Sequence, residues 1–407
     1  MSRVLYISYD GMSDPLGQSQ VLPYLRGLRE RGHEIHLLSF EKPASFARAG
    51  EALKQSVKAA GIEWHPLKYH ARPPVLSAVY DLQRMKRRAL KLARLHSLDI
   101  VHCRGYLPAM AGRAVKRKTG ARFIFDMRGF WPDERVDGGL WPQSRLLYRW
   151  IYRYFKKAEK KLLYEAAHIV SLTVAGKKII EEELAPAAAA PVTVIPTCTD
   201  MRHFDFSRFG PAENEALRRK AGIPEGALTI GYLGSTGTWY LTDEMLRFFR
   251  ILRQKRRAVL LMITRDDPER LRKRATELGL PAEDILIRPA GYREVPQWVS
   301  LFDFGLFFIK PGFSKQASSP TKMGEILAMG KPVICNAGVG DVAMLVKRFD
   351  AGIALESLDE KAFEEAVARL DALKEKPAGH YRKAAAEWFS LERGVDLYDK
   401  IYRELPA

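Results

Sequence analysis

The sequence has few of the features that mark secreted or membrane-spanning proteins. Its three cysteines, Cys103, Cys198 and Cys335, lie far apart and form neither a metal-binding spacing nor a disulfide framework, which indicates a reducing compartment. The first ten residues run directly into a strand-like segment and lack the layout of a signal peptide. No run of about 18 apolar residues occurs, so no membrane-spanning helix is expected. These absences predict a cytoplasmic protein.

Several common catalytic motifs are also missing. The loop after the first strand-like segment, residues 10–20, has no Gly-x-Gly-x-x-Gly spacing and no Gly-Lys-Thr ending. This argues against an NTP-hydrolysing loop and against a standard dinucleotide-binding turn. No Ser/His/Asp order and no cluster of metal ligands stands out, so the sequence predicts neither a protein nucleophile nor a metal centre.

Positive charge is what the sequence has in excess. The formal net charge is +18 and the isoelectric point is near 9.7, which suggests a polyanionic partner. The cations concentrate in two helical stretches, residues 84–94 and 145–161, and the second also carries Trp150 and Tyr154. Such a helix fits an anionic membrane surface, and an ordinary solvated face with a core stripe fits it equally. That predicted core stripe consists of Leu147, Ile151, Ala158 and Leu162. Nucleic acid is not expected, since no recognised reader motif is present.

The order of apolar and amphipathic segments predicts an α/β protein. The 407 residues suit two domains of roughly 200 residues each. Short apolar strands alternate with helical segments, pause at the Ala/Pro-rich residues 185–191 and start again at residue 228. This alternation is typical of parallel sheets covered on both faces, whose ligands lie beyond the carboxyl ends of the strands. We therefore predict two such domains facing a cleft.

The richest candidate site is the segment 318–325, Ser-Ser-Pro-Thr-Lys-Met-Gly-Glu. Ser319 suits an N-cap and Pro320 suits the first position of a helix. A helix that begins after a strand offers free N–H groups and a positive dipole end to a diphosphate. Thr321 and Glu325 share one face, so this carboxylate is placed to accept both hydroxyls of a ribose. A plain capped helix with a solvated Glu325 is the alternative.

A glycine-rich loop opens the second half of the chain. Residues 234–237, Gly-Ser-Thr-Gly, follow a strand and precede a helix, an arrangement that lets the backbone approach a ligand closely. A tight turn without a ligand explains the pattern equally well. Arg265 follows the next strand and is a further candidate cation.

The first half contributes candidates at the ends of three strands. They are Gly11, Gly17 and Gln18 in the loop 10–20, taken as a flexible lining of the cleft, His102 and Arg104 after another strand, and Asp126 and Arg128 after a third. Arg128 is suited to charge-assisted hydrogen bonds with phosphate. An internal ion pair of Arg128 with Asp133 or Glu134 remains an alternative, and a lone histidine such as His102 is more often structural.

Taken together, these segments resemble glycosyltransferase family 4. Residues 194–200, Val-Ile-Pro-Thr-Cys-Thr-Asp with Phe204 just after, resemble its interdomain segment. Residues 319–334 resemble its donor-site helix, and Gly-Val-Gly-Asp at 338–341 continues that match. Residues 234–240 look like a bacterial subgroup of the family, and residues 126–132 look like an element of related members. The resemblance covers nearly the whole chain in the right order.

This resemblance implies a GT-B fold with two Rossmann-like domains. Residues 1–190 would bind the acceptor, residues 191–392 would bind a nucleotide-sugar, and a C-terminal helix at 393–407 would cross back onto the first domain. The implied reaction is hexosyl transfer to a glycan or lipid-linked acceptor with retained anomeric configuration. It implies no cofactor and no obligatory metal. The implied setting is bacterial polysaccharide or glycolipid assembly in the cytoplasm. The basic, aromatic helices add the hypothesis of a lipid-linked acceptor at the inner face of the cytoplasmic membrane.

The resemblance also distributes roles among the candidates. Glu325 would hold the ribose, and the backbone of 234–237 and 319–322 would hold the diphosphate. The donor-binding set is Gly234, Ser235, Thr236, Gly237, Arg265, Ser318, Ser319, Pro320 and Thr321. The catalytic set is Arg128, Lys322 and Glu325, and the acceptor side comprises Gly11, Gly17, Gln18, His102, Arg104 and Asp126.

The sequence departs from the family pattern at two points. Many members have a second glutamate eight positions before the ribose-binding one, where this chain has Ala317. Many also have an Arg and a Lys in the glycine-rich loop, where this chain has none. Lys322, Arg265 and Arg128 are therefore the candidates for neutralising the leaving diphosphate.

Two other functions fit parts of the sequence. A UDP-sugar 2-epimerase shares this fold, although Ala317 supplies none of the carboxylates that such an enzyme needs near the sugar. A non-catalytic protein that binds a membrane or nucleic acid would explain the charge of +18 and nothing else.

Overall fold

The structure is a computed structural model that describes residues 1–405 and divides the chain into two compact units. The first unit contains Met1–Pro196, Gln316–Ser318 and the segment that starts at Leu391. The second contains Thr197–Lys315 and Ser319–Ser390. Each unit is built on one parallel sheet, and the prediction of an α/β fold with two Rossmann-like domains is confirmed.

The first unit has a seven-stranded sheet in the order β3-β2-β1-β4-β5-β6-β7. Its strands are β1 Arg3–Ser8, β2 Glu34–Glu41, β3 Glu63–Lys68, β4 Ile100–Arg104, β5 Arg122–Asp126, β6 His168–Ser171 and β7 Val192–Val194. The strand order reverses direction between β1 and β4, which is the point where open α/β sheets bind ligands. In register, Arg104 lies between Ser8 and Asp126, so three strand ends meet there.

Helices cover both faces of this sheet because the central strands are apolar and buried along their length. They are α1 Pro15–Gln20, α2 Leu22–Glu30, α3 Pro43–Ala59, α4 Leu76–Leu95, α5 Tyr106–Thr119, α6 Trp131–Asp137, α7 Leu146–Glu165 and α8 Val174–Ile179. A π-helical turn, Ile180–Leu184, follows α8. In the described part of the chain, no helix has both the length and the apolar character needed to cross a bilayer.

The second unit repeats the plan with six strands in the order β10-β9-β8-β11-β12-β13. The strands are β8 Leu228–Leu233, β9 Ala258–Ile263, β10 Ile285–Arg288, β11 Phe304–Phe307, β12 Val333–Asn336 and β13 Gly352–Leu355. The helices are α9 Pro211–Ala221, α10 Thr242–Lys255, α11 Pro268–Glu277, α12 Val295–Val299, α13 Thr321–Ala328, α14 Val342–Phe349, α15 Glu360–Ala368, α16 Leu370–Lys374 and α17 Ala378–Phe389. The reversal between β8 and β11 is the switch point of this sheet.

The last helix, α18 Leu391–Glu404, belongs to the first unit. It begins two residues before the predicted start at 393, and residues 406 and 407 of the predicted range lie outside the described residues. Val395 occupies the space beside Gly27 of α2, where a Cβ atom would lie 2.8 Å from a Val395 methyl group. A side chain at Gly27 would therefore push α18 away from the sheet.

The first unit extends further along the chain than the sequence pattern predicts. The Ala/Pro-rich stretch places the predicted boundary after residue 190, whereas β7 pairs with β6 and the first unit extends to Pro196.

Within the second unit, the guanidinium of Arg382 donates to the carbonyls of Phe204, Ala328 and Met201 at 2.6, 2.8 and 2.7 Å. This side chain ties the start of the second unit to the end of α13.

Candidate active site

Helix α13 starts directly at the candidate donor site of the second unit. Its first residue is Thr321 and its N-cap is Pro320, with no side-chain cap. The expectation that Ser319 caps the helix and Pro320 begins it was wrong. The hydroxyl of Ser319 instead accepts a hydrogen bond from the Thr197 amide at 3.2 Å, and the Thr197 hydroxyl donates to the Ser319 carbonyl at 2.9 Å. Hydrogen bonds between Thr197 and Ser319 therefore position the amino end of α13, and no side chain caps its first amides.

Lys322 lies buried between two tyrosine rings. Its Nζ is 3.7 Å from the centre of the Tyr240 ring and 4.2 Å from that of Tyr232, and it donates to the Tyr232 hydroxyl at 3.1 Å. Burial lowers the pKa of Lys322 well below its usual value, and Glu325 only partly opposes this. The two tyrosine faces and one hydroxyl thus hold this amine, and no carboxylate of residues 1–405 is in hydrogen-bond contact with it.

The glycine-rich loop meets this lysine at Gly234. That residue has a φ of 113°, a conformation that favours glycine, and a Cβ atom on it would lie 3.3 Å from Lys322 Nζ. The structure therefore brings the loop after β8 and the first turn of α13 together, as the candidate donor site requires. Both reasons make Gly234 difficult to replace.

Glu325 lies one turn into α13 and remains partly exposed. Burial raises the pKa of its carboxyl group to about 7, and the nearby Lys322 acts in the opposite direction. A carboxylate with a raised pKa gains from hydroxyl donors, because hydrogen bonds to its ionised form lower that pKa. This side chain is therefore prepared for a ligand that donates hydrogen bonds.

Asp266 and Arg270 hold the middle of the glycine-rich loop and were missed in the sequence. One carboxylate oxygen of Asp266 accepts from both the backbone amide and, at 2.6 Å, the hydroxyl of Thr236, and Arg270 donates to that hydroxyl at 3.2 Å. Burial acts to raise the pKa of Asp266, but these hydrogen bonds leave it lowered. The predicted candidate Arg265 is an exposed neighbour. An acid three residues beyond the end of β9 was the available signal.

A second lysine and a tryptophan extend the aromatic surroundings of this site. Lys315 Nζ lies 3.6 Å from the centre of the Trp239 ring, and the Lys315 carbonyl accepts from the Gly340 amide at 2.8 Å. Trp239 lies in the segment 234–240, and no role was predicted for it from the sequence. Lys315 is thus a further positive group among the loops of the second unit.

Ala317 and Ser318 belong to the first unit, and the chain returns to the second unit at Ser319. Ala317 is buried and its methyl group packs where a Cβ atom on Gly176 would lie, 3.0 Å away. The position at which many family members have a sugar-contacting glutamate is thus occupied by a buried methyl group.

The first unit gathers Arg104, Asp126 and Arg128 at its switch point. Arg104 Nε lies 3.5 Å from a carboxylate oxygen of Asp10, and Arg128 lies 3.9 Å from Asp126. Among the described residues, Arg104 Nε and Asp126 Oδ1 have no hydrogen-bond partner although both are buried. Arg128 also has a φ of 55°, a strained conformation of the kind found at functional sites. The suggested pairing with Asp133 is not observed, since Asp133 bonds Tyr152 and Lys156.

Electrostatics couple this arginine to the interior of the unit. Burial would raise the pKa of Asp126, but Arg128 and the neighbouring His102 imidazole hold it below its usual value. Asp126 in turn raises the pKa of Arg128 against the effect of burial. The guanidinium therefore stays charged inside the protein, at the edge where a ligand would bind.

His102 lies in the interior and ties the sheet to α18. Its Nδ1 is 2.6 Å from the Tyr402 hydroxyl, its Nε2 is 3.5 Å from Asp126, and burial lowers its pKa. Tyr398 of the same helix donates to Asp126 at 3.0 Å. These contacts give His102 and α18 a direct part in fixing Asp126, the neighbour of Arg128.

The loop at 10–20 is fastened rather than flexible. The Glu41 carboxylate accepts from the amides of Met12 and Ser13 at 2.8 and 3.0 Å and from the Ser13 hydroxyl at 2.6 Å. Gly11 and Gly17 are buried and Gln18 is exposed. A Cβ atom on Gly17 would lie 2.2 Å from the Gly11 carbonyl oxygen, so the loop packs tightly on itself and presents Gln18 outward.

Comparison with known proteins identifies the class. Residues 17–198 match the glycosyl transferase 4-like domain, and residues 213–388 match the glycosyl transferases group 1. The chain is 23% identical over 327 residues to D-inositol 3-phosphate glycosyltransferase 1 of Catenulispora acidiphila, covering 75% of this chain and 72% of that relative.

Two solved structures share the fold. A glycosyltransferase from Rickettsia africae ESF-5 has a TM-score of 0.74 at 16% identity, over 99% of this chain and 98% of that one. Anabaena HepE in complex with UDP-glucose has a TM-score of 0.70 at 12% identity, over 99% of this chain and 100% of that one. The fold and the domain matches define a GT-B transferase enzyme. The chain belongs to glycosyltransferase family 4.

Proposed function

We propose that this enzyme transfers a sugar from a nucleotide-diphosphate-sugar to a glycan or lipid-linked acceptor with retained anomeric configuration, in bacterial polysaccharide or glycolipid biosynthesis. The observation that carries the proposal is the convergence of the glycine-rich loop, Lys322 and Glu325 at the switch point of the second sheet. The relative HepE, which binds UDP-glucose, supports a donor of this class.

In this proposal the donor's diphosphate lies at the amino end of α13 and beside Gly234. Helix amides and a positive dipole end favour an anion there, and Lys322 supplies a charge at the same place. Its lowered pKa fits a site completed by an anion, because a diphosphate would restore the charged ammonium. Glu325 accepts the hydroxyls of the ribose.

The chemistry then rests on stabilising the leaving group. About two negative charges develop on the diphosphate as the sugar departs, and fixed N–H dipoles and cations lower the energy of that state. Lys322 and Arg128 are the proposed cations, and the departing phosphate oxygen takes the proton of the acceptor hydroxyl. No protein nucleophile, cofactor or metal ion is required in this scheme.

The acceptor is proposed to bind at the switch point of the first sheet. Arg104 and Asp126 have buried polar atoms that find no hydrogen-bond partner within the described part of the chain, which is costly unless a ligand satisfies them. Gly11, Gly17 and Gln18 bring backbone and one exposed amide to the same end of β1, and His102 keeps Asp126 in place. A polar acceptor with several hydroxyl groups suits this mixture of donors and acceptors.

A thermal-shift screen of UDP-, GDP-, ADP- and TDP-sugars tests the donor. One nucleotide series should stabilise the protein in the presence of EDTA, by about 2.7 kcal/mol at 100 times its dissociation constant. The proposal is contradicted if no series shifts the melting temperature, with or without candidate acceptors. It is also contradicted if a shift requires Mg²⁺ or Mn²⁺. Conversion of UDP-N-acetylglucosamine without an acceptor would favour an epimerase instead.

The amino-terminal half of α7 supports a membrane-bound acceptor. Leu147 is 60% exposed and Trp150 is 65% exposed. The prediction that Leu147 belongs to the core stripe was therefore wrong, and the buried stripe begins at Ile151. Leu146 and Tyr154 are also exposed, among exposed cations on the same helix. A groove of about 190 Å³ beside it is lined by Lys86, Arg113, Lys157 and Lys161. Exposed apolar groups next to cations fit the headgroup layer of an anionic membrane.

Flotation with phosphatidylglycerol vesicles tests this surface. The protein should float at low salt, and Trp150→Glu should lower the partition coefficient by about 10- to 100-fold, since burying such a side chain contributes about 1.5–3 kcal/mol. Met344→Glu is the control, because Met344 is 41% exposed on α14 in the second unit, and it should float like the wild type. Equal flotation of both variants, or none at low salt, would contradict the proposal.

A further inference from the structure

A cluster of imidazoles and carboxylates lies at the amino ends of the first sheet, away from the edge proposed for substrates. His36 on β2 is paired in register with Glu63 on β3, and His96 follows the end of α4. One nitrogen or oxygen atom from each of these three residues lies within 4.8 Å of the other two. The His36 side chain is fully buried, which fixes one member of the cluster.

We infer that His36, Glu63 and His96 form a binding site for a divalent transition metal ion, with Zn²⁺ as its ligand. Two imidazoles and one carboxylate are a common set of protein ligands for zinc. With bonds of about 2.0–2.2 Å, tetrahedral ligand atoms lie roughly 3.3–3.5 Å from one another. The distance from His36 Nδ1 to Glu63 Oε2 is 3.3 Å, so this pair already has the required separation.

Glu34 determines which nitrogen of His36 is available. The Nε2 atom lies 2.9 Å from a carboxylate oxygen of Glu34, and a carboxylate only accepts, so Nε2 carries the proton of the neutral ring. The lone pair is then on Nδ1, the atom that faces Glu63. A carboxylate that holds the second N–H of a ligating histidine is the usual outer support of zinc sites.

The contact between His36 Nδ1 and Glu63 Oε2 places two acceptor atoms 3.3 Å apart, and a cation between them would stabilise it. A second proton on His36 would satisfy it, and so would a metal ion. Only the metal ion also gives His96 a role. The His96 ring is centred 4.1 Å from that of His36, and it can ligate a metal ion but has no negative charge with which to stabilise a protonated His36. His65 lies beside the cluster, with Nε2 3.4 Å from the same Nδ1, but Arg88 lies 3.4 Å from its Nδ1 and can only donate, so Nε2 carries the proton and His65 is not a ligand.

Such an ion would link β2, β3 and α4 and act on stability rather than on transfer. Its ligands come from residues 36, 63 and 96, which are too far apart in the chain to form a sequence motif. The cluster could therefore not be recognised from the sequence. The ion would also be independent of the metal-free transfer proposed above, because the strand ends that carry Arg104 and Asp126 are at the opposite edge of the sheet.

Zinc titration of the chelator-stripped full-length protein tests this inference. Calorimetry should show one equivalent bound, and the melting temperature should rise by about 5 °C at 100 times the dissociation constant. Co²⁺ should give the intense visible bands of a tetrahedral site. His96→Asn should remove both signals, and Glu34→Gln should weaken binding by about 10- to 100-fold.

His380→Asn is the control, because His380 lies in the second unit, and it should bind Zn²⁺ like the wild type. The inference is overturned if the wild type binds no Zn²⁺, if His96→Asn binds as tightly, or if Co²⁺ gives only the weak bands of an octahedral ion. The cobalt spectrum keeps the test independent of any effect of the substitutions on folding. Donor binding in EDTA tests the proposed function separately, so either proposal can fail alone.

Discussion

Replacing Glu325 by glutamine is expected to abolish the donor-induced thermal shift and to lower kcat/KM by about 100-fold or more. Two hydrogen bonds from ribose hydroxyls to a carboxylate contribute about 1.5–3 kcal/mol each, and a neutral amide accepts less strongly. The same substitution should make the free protein more stable at neutral pH. Thermal denaturation of both proteins between pH 4 and 8, with and without the donor, measures both effects.

The sign of the stability change follows from the pKa of Glu325. Burial raises it from 4.5 to about 7 in the folded protein, so the folded state holds its proton over a pH range in which the unfolded state has lost it. Stability from this group is fully present below pH 4.5 and is lost as the pH rises through 7. Glutamine cannot ionise, so the advantage of the variant should grow across this window.

Glu356→Gln is the matched control for this experiment. Glu356 is exposed in the same unit, and its replacement should change neither the donor-induced shift nor the pH dependence. A Glu325→Gln variant that keeps the full donor-induced shift would remove Glu325 from the donor site. A variant that loses the shift and also loses stability at pH 7 would point to a structural role.

The parts of the donor site that the sequence predicted are local in the chain. A strand, a glycine-rich turn and a helix that starts after Pro320 can be recognised because each depends on a few adjacent residues. Glu325 follows from helical spacing within the same segment. The resemblance to a family places these segments in order, and the structure adds that Lys322 bridges them at Gly234.

The parts that were missed depend on contacts between distant residues. Asp266 and Arg270 fix Thr236 across 30 and 34 positions, and no local pattern marks that choice over Arg265. The capping rule failed at Ser319 for the same reason, because the amide of Thr197 competes for its hydroxyl. Leu147 fits a helical core stripe by spacing, but α7 extends beyond the surface that would cover it.

Arg128→Ala is expected to reduce kcat by about 100- to 1000-fold, the usual cost of removing one group that stabilises developing charge. The donor-induced thermal shift should remain, because the donor site belongs to the second unit. Loss of the guanidinium also leaves the buried Asp126 without its cation, so stability should fall as well. A second variant is needed to separate the two effects.

Arg128→Gly provides that separation. Both variants lack the guanidinium, but Arg128 has a φ of 55°, which glycine adopts freely and alanine does not, so the glycine variant should be more stable by about 1 kcal/mol. If the guanidinium acts in the reaction, both variants lose the same activity despite their different stabilities. Activity that recovers in the glycine variant would show that Arg128 serves only the fold. Arg3→Ala, which removes an arginine paired with Asp99 at the far end of the same sheet, should leave kcat unchanged.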